Sequence, residues 1–224
     1  MTIQAKTSYH AVDSAQVLTL YAVNFALLLL QGRLYLTTLS TSLLDALNLF
    51  FPLLSLLLCL IFLRLTHKRP DSVGLTIQGF VPSLLLGGLL AFVLVIISIG
   101  SQSIFSGNSV RFHPLSLFTL ISVAIGALEE EITFRGLLRT RLSGWFRSNA
   151  VCSLITGFLF LLIHYPVRWA SAGFSLHVLS AFHILLLILL HFVCDFVYQR
   201  TNCLWGSIFL HFVYNLACTL FPVI

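Results

Sequence analysis

Apolar residues along this chain gather into runs long enough to cross the hydrocarbon core of a bilayer, which takes about 20 residues of helix. Such runs fall at 15–34, 42–64, 79–100, 114–139, 149–166, 176–198 and 203–222. Short polar breaks separate them, among them Lys68-Arg69-Pro70-Asp71-Ser72, Ser106-Gly107-Asn108-Ser109, Ser143-Gly144 and Ala172-Gly173. The pattern predicts an all-α, polytopic transmembrane helical bundle of about seven spans. None of the connections can hold a folded soluble domain, so the functional groups are expected inside the bundle, around an intramembrane polar cavity. The first run starts near Ala15 after a tail carrying Asp13, is about twice the length of a signal core and lacks an A-x-A-like site, so it is expected to stay in the mature protein.

Composition excludes an ordinary water-soluble domain. Charged residues make up 8% of the 224-residue chain and hydrophobic residues 58%, with a mean hydropathy of +1.02. A soluble domain carries roughly a quarter charged residues. The formal charge of +5 comes from cations set singly or in short groups between apolar runs, so no nucleic-acid surface is indicated. They read as topology signals. Seven alternating spans place Lys6, Arg64, Lys68, Arg69, Arg139, Arg141, Arg147 and Arg200 on one face, and Arg33, Arg111 and Arg168 on the other. That asymmetry puts the N-terminus in the cytoplasm. The five cysteines, Cys59, Cys152, Cys194, Cys203 and Cys218, show no C-x-x-C spacing and read as packing residues.

An ionisable side chain within a span costs a few kcal/mol and is by default a functional residue facing the bundle interior. The fourth span ends in Ala127-Leu128-Glu129-Glu130-Glu131-Ile132-Thr133-Phe134-Arg135-Gly136. On a helix Glu131 and Arg135 share a face at i and i+4, with the acid N-terminal, the better orientation for an ion pair. Glu130 projects about 100° away. Outside that pair and away from solvent, it suits proton transfer. A solvated charge cluster at a helix end is the alternative. Phe160-Leu161-Leu162-Ile163-His164 sets an aromatic ring one turn before a histidine, which could equally be a hydrogen-bonded core residue. His211-Phe212-Val213-Tyr214-Asn215 points an imidazole and a carboxamide the same way, and such groups also join helices. Counted at ~1.5 Å per residue from the cytoplasmic ends, Glu130 lies roughly 15 Å deep, His164 roughly 18–22 Å, and His211 and Asn215 roughly 12 and 18 Å. They can share one layer.

His183, His191 and Asp195 form a competing cluster on the sixth span, read as structural because no carboxylate and arginine pair accompanies it. Asp45 with Asn48, and Asn24, read as helix-to-helix hydrogen-bonding positions.

A carboxylate, two imidazoles and an amide in a dry cavity suit hydrolysis by an activated water, with donors holding the developing oxyanion. No G-x-S-x-G elbow is present. Two histidines and a glutamate could instead hold zinc with an open position, although H-E-x-x-H is absent.

These residues resemble a known family. Glu130-Glu131-x-x-x-Arg135, Phe160-x-x-x-His164 and His211-x-x-x-Asn215, in that order on successive segments, are similar to the motifs of the CAAX protease and bacteriocin-processing (CPBP) family of intramembrane endopeptidases. Thr201-Asn202-Cys203-Leu204-Trp205 resembles its T-G-S-L-W lead-in, with Asn-Cys in place of Gly-Ser, and Arg69-Pro70-Asp71-Ser72-Val73-Gly74-Leu75 its early cytoplasmic loop. Glu129 falls outside the motif. The resemblance covers roughly residues 114–222. It implies a metal-independent glutamic protease without a cofactor, cutting near the C-terminus of a membrane-associated protein or peptide. Glu130 and His164 would activate the water, His211 and Asn215 would form the oxyanion site, and Glu131 with Arg135 would buttress the helix. The implied organisation is a cytoplasmic tail 1–14, transmembrane spans one to three in 15–113 and a catalytic core of spans four to seven in 114–224. The setting would be the plasma membrane of a prokaryote. The alternatives are a non-catalytic binding or immunity protein on the same scaffold, a zinc-dependent membrane protease and a transporter. Against the last, the chain shows no inverted repeats.

Overall fold

Helices account for every apolar run. A computed structural model describes residues 9–37, 40–67 and 69–224. Lys6, Lys68 and most of the expected N-terminal tail lie outside the described residues. The helices are α1 (Ala11–Leu34), α2 (Thr41–Leu65), α3 (Phe80–Ser106), α4 (Leu117–Glu131), α5 (Asn149–Leu162), α6 (Pro166–Ala172), α7 (Ala181–Thr201) and α8 (Trp205–Leu220). Five segments are long and apolar enough to span a membrane: α1, α2, α3, α5 with α6, and α7. The shorter α8 is also apolar, and α4 runs on beyond Glu131. Ser40, Ser116, Ser148 and Ser180 cap α2, α4, α5 and α7, each accepting a backbone N–H of the first turn.

Two departures from the expected spans bear on function. The fourth is not a uniform α-helix, because from Ile132 to Arg139 it is π-helical, a winding found often at functional sites. The fifth does not reach residue 166 intact. Pro166 has no N–H for the Leu162 carbonyl and its ring clashes with the preceding turn. The Tyr165 N–H takes that carbonyl instead, the chain turns through Ile163–Tyr165, and α6 begins at Pro166.

Large apolar side chains lie exposed along the outer helix faces, among them Leu85, Phe92, Ile96, Phe158 and Phe196. Lipid is the solvent that accepts such a surface. The protein is therefore an integral membrane protein, a helical bundle. Inside, α3 packs along α8, α1 against α6, α2 against α4, and α7 against α5 and α8. The α3–α8 seam is a glycine contact: a Cβ on Gly87 would strike the Gly206 carbonyl, and one on Gly206 the Ser83 backbone.

Asn202 closes α7 in the left-handed conformation, at φ 52°. Asparagine is among the few non-glycine residues that tolerate it, which explains how this chain keeps the turn with Asn where the resembled lead-in has Gly. That turn meets the early loop. The Leu204 N–H donates to the Gly74 carbonyl over 2.8 Å, so the early loop and the lead-in to α8 brace each other.

Candidate active site

Glu131 lies at the last residue of α4 proper, fully buried, and its Oε1 accepts from Arg135 Nη1 and from His211 Nδ1, each at 2.8 Å. Arg135 is also fully buried; its Nη2 donates to the His191 carbonyl at 3.0 Å, and its guanidinium stacks 4.8 Å from the Phe160 ring centre. The i,i+4 pair expected from sequence is present, despite the π-helical winding that begins between its members. It also binds a third residue, His211, which ties α4 to α8.

Glu130 faces the other way, into a cavity of about 420 Å³. Its Oε2 is closed to solvent and has no hydrogen-bond partner among the described residues. His211 Nε2 is 3.9 Å from it, too long for a direct hydrogen bond. His164 lines the same cavity from the turn after α5. Within a continuous helix the Phe160 carbonyl would accept the His164 N–H. Here that N–H goes to Leu161, and the ring Nδ1 donates to Phe160 at 2.7 Å. The helix break thus supplies the acceptor that fixes the ring, and Nε2 is left as the free lone pair. The Phe160 ring is the common floor, with its centre 5.0 Å from His164 and 6.1 Å from His211.

Asn215 stands apart from this group. It borders an adjoining cavity of about 340 Å³, which meets the first at Asn48 and Gly126. A Cβ on Gly126 would meet nothing within 4 Å, so that junction has room for a side chain.

The sixth-span cluster lies elsewhere. His191 Nε2 pairs with the Ser153 carbonyl at 3.2 Å, and Asp195 accepts from Ser153 and Gln199 and pairs with Arg139 at 2.5 Å. Neither lines the main cavity, in keeping with the structural reading. Asn48 accepts from the Tyr35 hydroxyl, a link from α2 to the end of α1. The guess for Asn24 fails: neither of its side-chain polar atoms has a partner among the described residues.

Sequence reasoning missed several cavity residues. Glu129, set outside the motif, lines the cavity and accepts from Ser55 of α2 at 2.5 Å and Thr133 at 2.9 Å. Arg168, counted as a loop charge, stands on α6 in the cavity wall. Tyr21, Asn24 and Gln31 of α1 add to that wall. Residues of α1 and α2 thus line the cavity together with those of the later segments. Polar residues inside apolar runs were the available signal, but nothing in one sequence showed which way each faced. Among the described residues, no three His, Cys, Asp or Glu side chains converge as metal donors.

Comparison with known proteins bears on the same segment. Residues 112–217 match the family described as Type II CAAX prenyl endopeptidase Rce1-like. No curated protein matches the chain.

Proposed function

We propose, from the premise that the chain belongs to the Rce1-like family through residues 112–217, that it is an intramembrane endopeptidase whose nucleophile is a water activated by Glu130. The family is one of proteases; the residue roles and the substrate are our reading. One observation carries it: an unpartnered, solvent-excluded carboxylate oxygen 3.9 Å from a histidine nitrogen, in a cavity that a second histidine also lines. A water at ~2.8 Å from both atoms bridges such a gap.

In this mechanism Glu130 takes a proton from that water, with His164 Nε2 accepting its second hydrogen bond. The hydroxide oxygen adds to the peptide carbonyl, and His211 and Asn215 donate to the oxyanion. Collapse breaks the C–N bond, and the proton held by Glu130 goes to the leaving nitrogen, giving a carboxylic acid and an amine. His211 Nδ1 already donates to Glu131, so Nε2 has a proton to give only when the ring is the imidazolium. Glu131 orients the ring through that bond, and Arg135 fixes the position of Glu131. The substrate is a membrane-associated protein or peptide cut near its C-terminus.

The test is a panel of membrane-anchored peptides incubated with wild type and Glu130→Gln at equal folded amounts, with and without chelator. Wild type should cut at least one peptide irrespective of chelator, and the glutamine variant should be slower by about 10²-fold or more. Cleavage by the variant at the wild-type rate would remove Glu130 from the mechanism. Loss of wild-type activity to chelator would favour a metal-bound water.

A further inference from the structure

Activation of the water makes no use of Glu129, although this acid lines the same cavity as Glu130. Its Oε1 accepts from the Ser55 hydroxyl of α2 at 2.5 Å and from the Thr133 hydroxyl at 2.9 Å. Cys59 of α2, fully buried, lies 3.2 Å from the same threonine oxygen. Because the Thr133 proton is committed to Glu129, the thiol is the donor in that contact. Two donors meet Oε1 directly and a third backs one of them, the hydrogen-bond polarity that an ionised carboxylate requires. The other oxygen, Oε2, has no hydrogen bond or ion pair among the described residues. Arg135 is taken by Glu131, and Arg168, also in the cavity wall, donates to the His164 carbonyl. A carboxylate within a span and without a paired cation is too costly to be incidental. The cavity shows independently that it is built for a polar ligand: Asn24 in its wall is only 5% exposed, yet neither end of its amide has a partner among the described residues.

A cation carried on an apolar stem fits these surroundings. Leu27 and Leu28 of α1 and Phe51 and Pro52 of α2 line the cavity with Glu129. Such a wall covers the methylenes of a lysine or arginine while the head meets the acid. A side-chain cation is favoured over a metal ion because, among the described residues, no three His, Cys, Asp or Glu donors converge. We propose that Glu129 is a specificity residue whose Oε2 receives a Lys or Arg side chain of the substrate, with Ser55 and Thr133 holding the carboxylate for that contact. The proposal rests on the proteolytic reading of the Glu130 site and adds a rule to it. Adjacent residues of a chain stand about 3.8 Å apart, and Glu129 adjoins Glu130. The basic residue therefore lies within about three residues of the bond cut.

The experiment takes one apolar, membrane-anchored peptide and moves a lysine through its successive positions, beside the same series with norleucine, an uncharged side chain of similar length, and with glutamate. At the best position wild type should cleave the lysine peptide with a kcat/KM about tenfold above that of the norleucine peptide, the size expected of a hydrogen bond to a charged group. The glutamate peptide should be the poorest of the three. Glu129→Gln keeps an acceptor for both hydroxyls and removes the charge, so the variant should fold and its preference for lysine should disappear. Equal cleavage of the lysine and norleucine series by wild type would overturn the subsite without recourse to any variant. An undiminished preference in Glu129→Gln would do the same. Peptide binding to Glu130→Gln separates the two levels of the argument. If wild type cleaves nothing, but Glu130→Gln binds the lysine peptide more tightly and the added Glu129→Gln change abolishes that preference, the proteolytic reading falls and the subsite stands. Preference lost in Glu130→Gln but kept in Glu129→Gln assigns the cation to Glu130 and overturns the proposal. Cleavage that requires Glu130 but ignores the lysine overturns the subsite alone.

Discussion

Glu130 and Glu131 are neighbours in sequence with opposite surroundings. Glu131 is held by a guanidinium and an imidazole N–H, whereas the Oε2 of Glu130 has no hydrogen-bond donor among the described residues. Replacing Arg135 with Ala would leave Glu131 buried without its counter-charge, so the variant should lose about 3–5 kcal/mol of stability, seen as a lower unfolding midpoint and poor folded yield in micelles. Glu130→Gln should leave that midpoint unchanged, since no protein hydrogen bond to its Oε2 is lost. Gly126 allows a different test. A Cβ there meets nothing within 4 Å, so Gly126→Val should fold normally while narrowing the junction between the cavity of Glu130 and that of Asn215. Peptide cleavage should fall by about tenfold if Asn215 donates to the oxyanion; an unchanged rate at unchanged stability would place Asn215 outside the reaction.

At the scale of elements, the break between α5 and α6 is the feature on which the site depends most. Pro166 prevents α5 from continuing, and the displaced backbone hydrogen bonds leave the Phe160 carbonyl for the His164 ring. Pro166→Ala restores an N–H, which favours an unbroken helix and returns that carbonyl to the backbone. The ring then loses its anchor. Since misplacing a reacting group by 1 Å can cost about 10²-fold, kcat should drop by that order with little change in unfolding midpoint. A variant with full activity would show that the break does not orient His164. The other histidine of the cluster is positioned by different means: α8 is seated on α3 through Gly87 and Gly206, and the turn before it rests on the Gly74 carbonyl.

For the whole molecule, the apolar outer surface and the internal polar cavity together require a bilayer or a micelle for folding. The count of cations by face predicts a cytoplasmic N-terminus. Some of those cations also have structural work: Arg139 pairs with Asp195, Arg141 packs over Phe62, and Arg168 lines the cavity. A cysteine introduced ahead of α1 should react with a membrane-impermeant thiol reagent only after the cytoplasmic side is opened; labelling of intact cells would reverse the assignment.

Sequence by itself determined the solvent, the helical class and the ordered polar motifs, because bilayer thickness sets a run length and because charge within a span is too costly to be incidental. It also carried the Glu131–Arg135 contact, since residues four apart on a helix are neighbours whatever the rest of the fold does. Helical spacing has no information about which helices touch. Only the tertiary structure decided that His211 reaches across to Glu131, that Asn215 opens onto a neighbouring cavity, and that Asn24 and Arg168 of two distant segments share a wall with Glu130. Those relations come from the packing of α1 on α6 and α4 on α8, set by the shapes of side chains far apart in the chain.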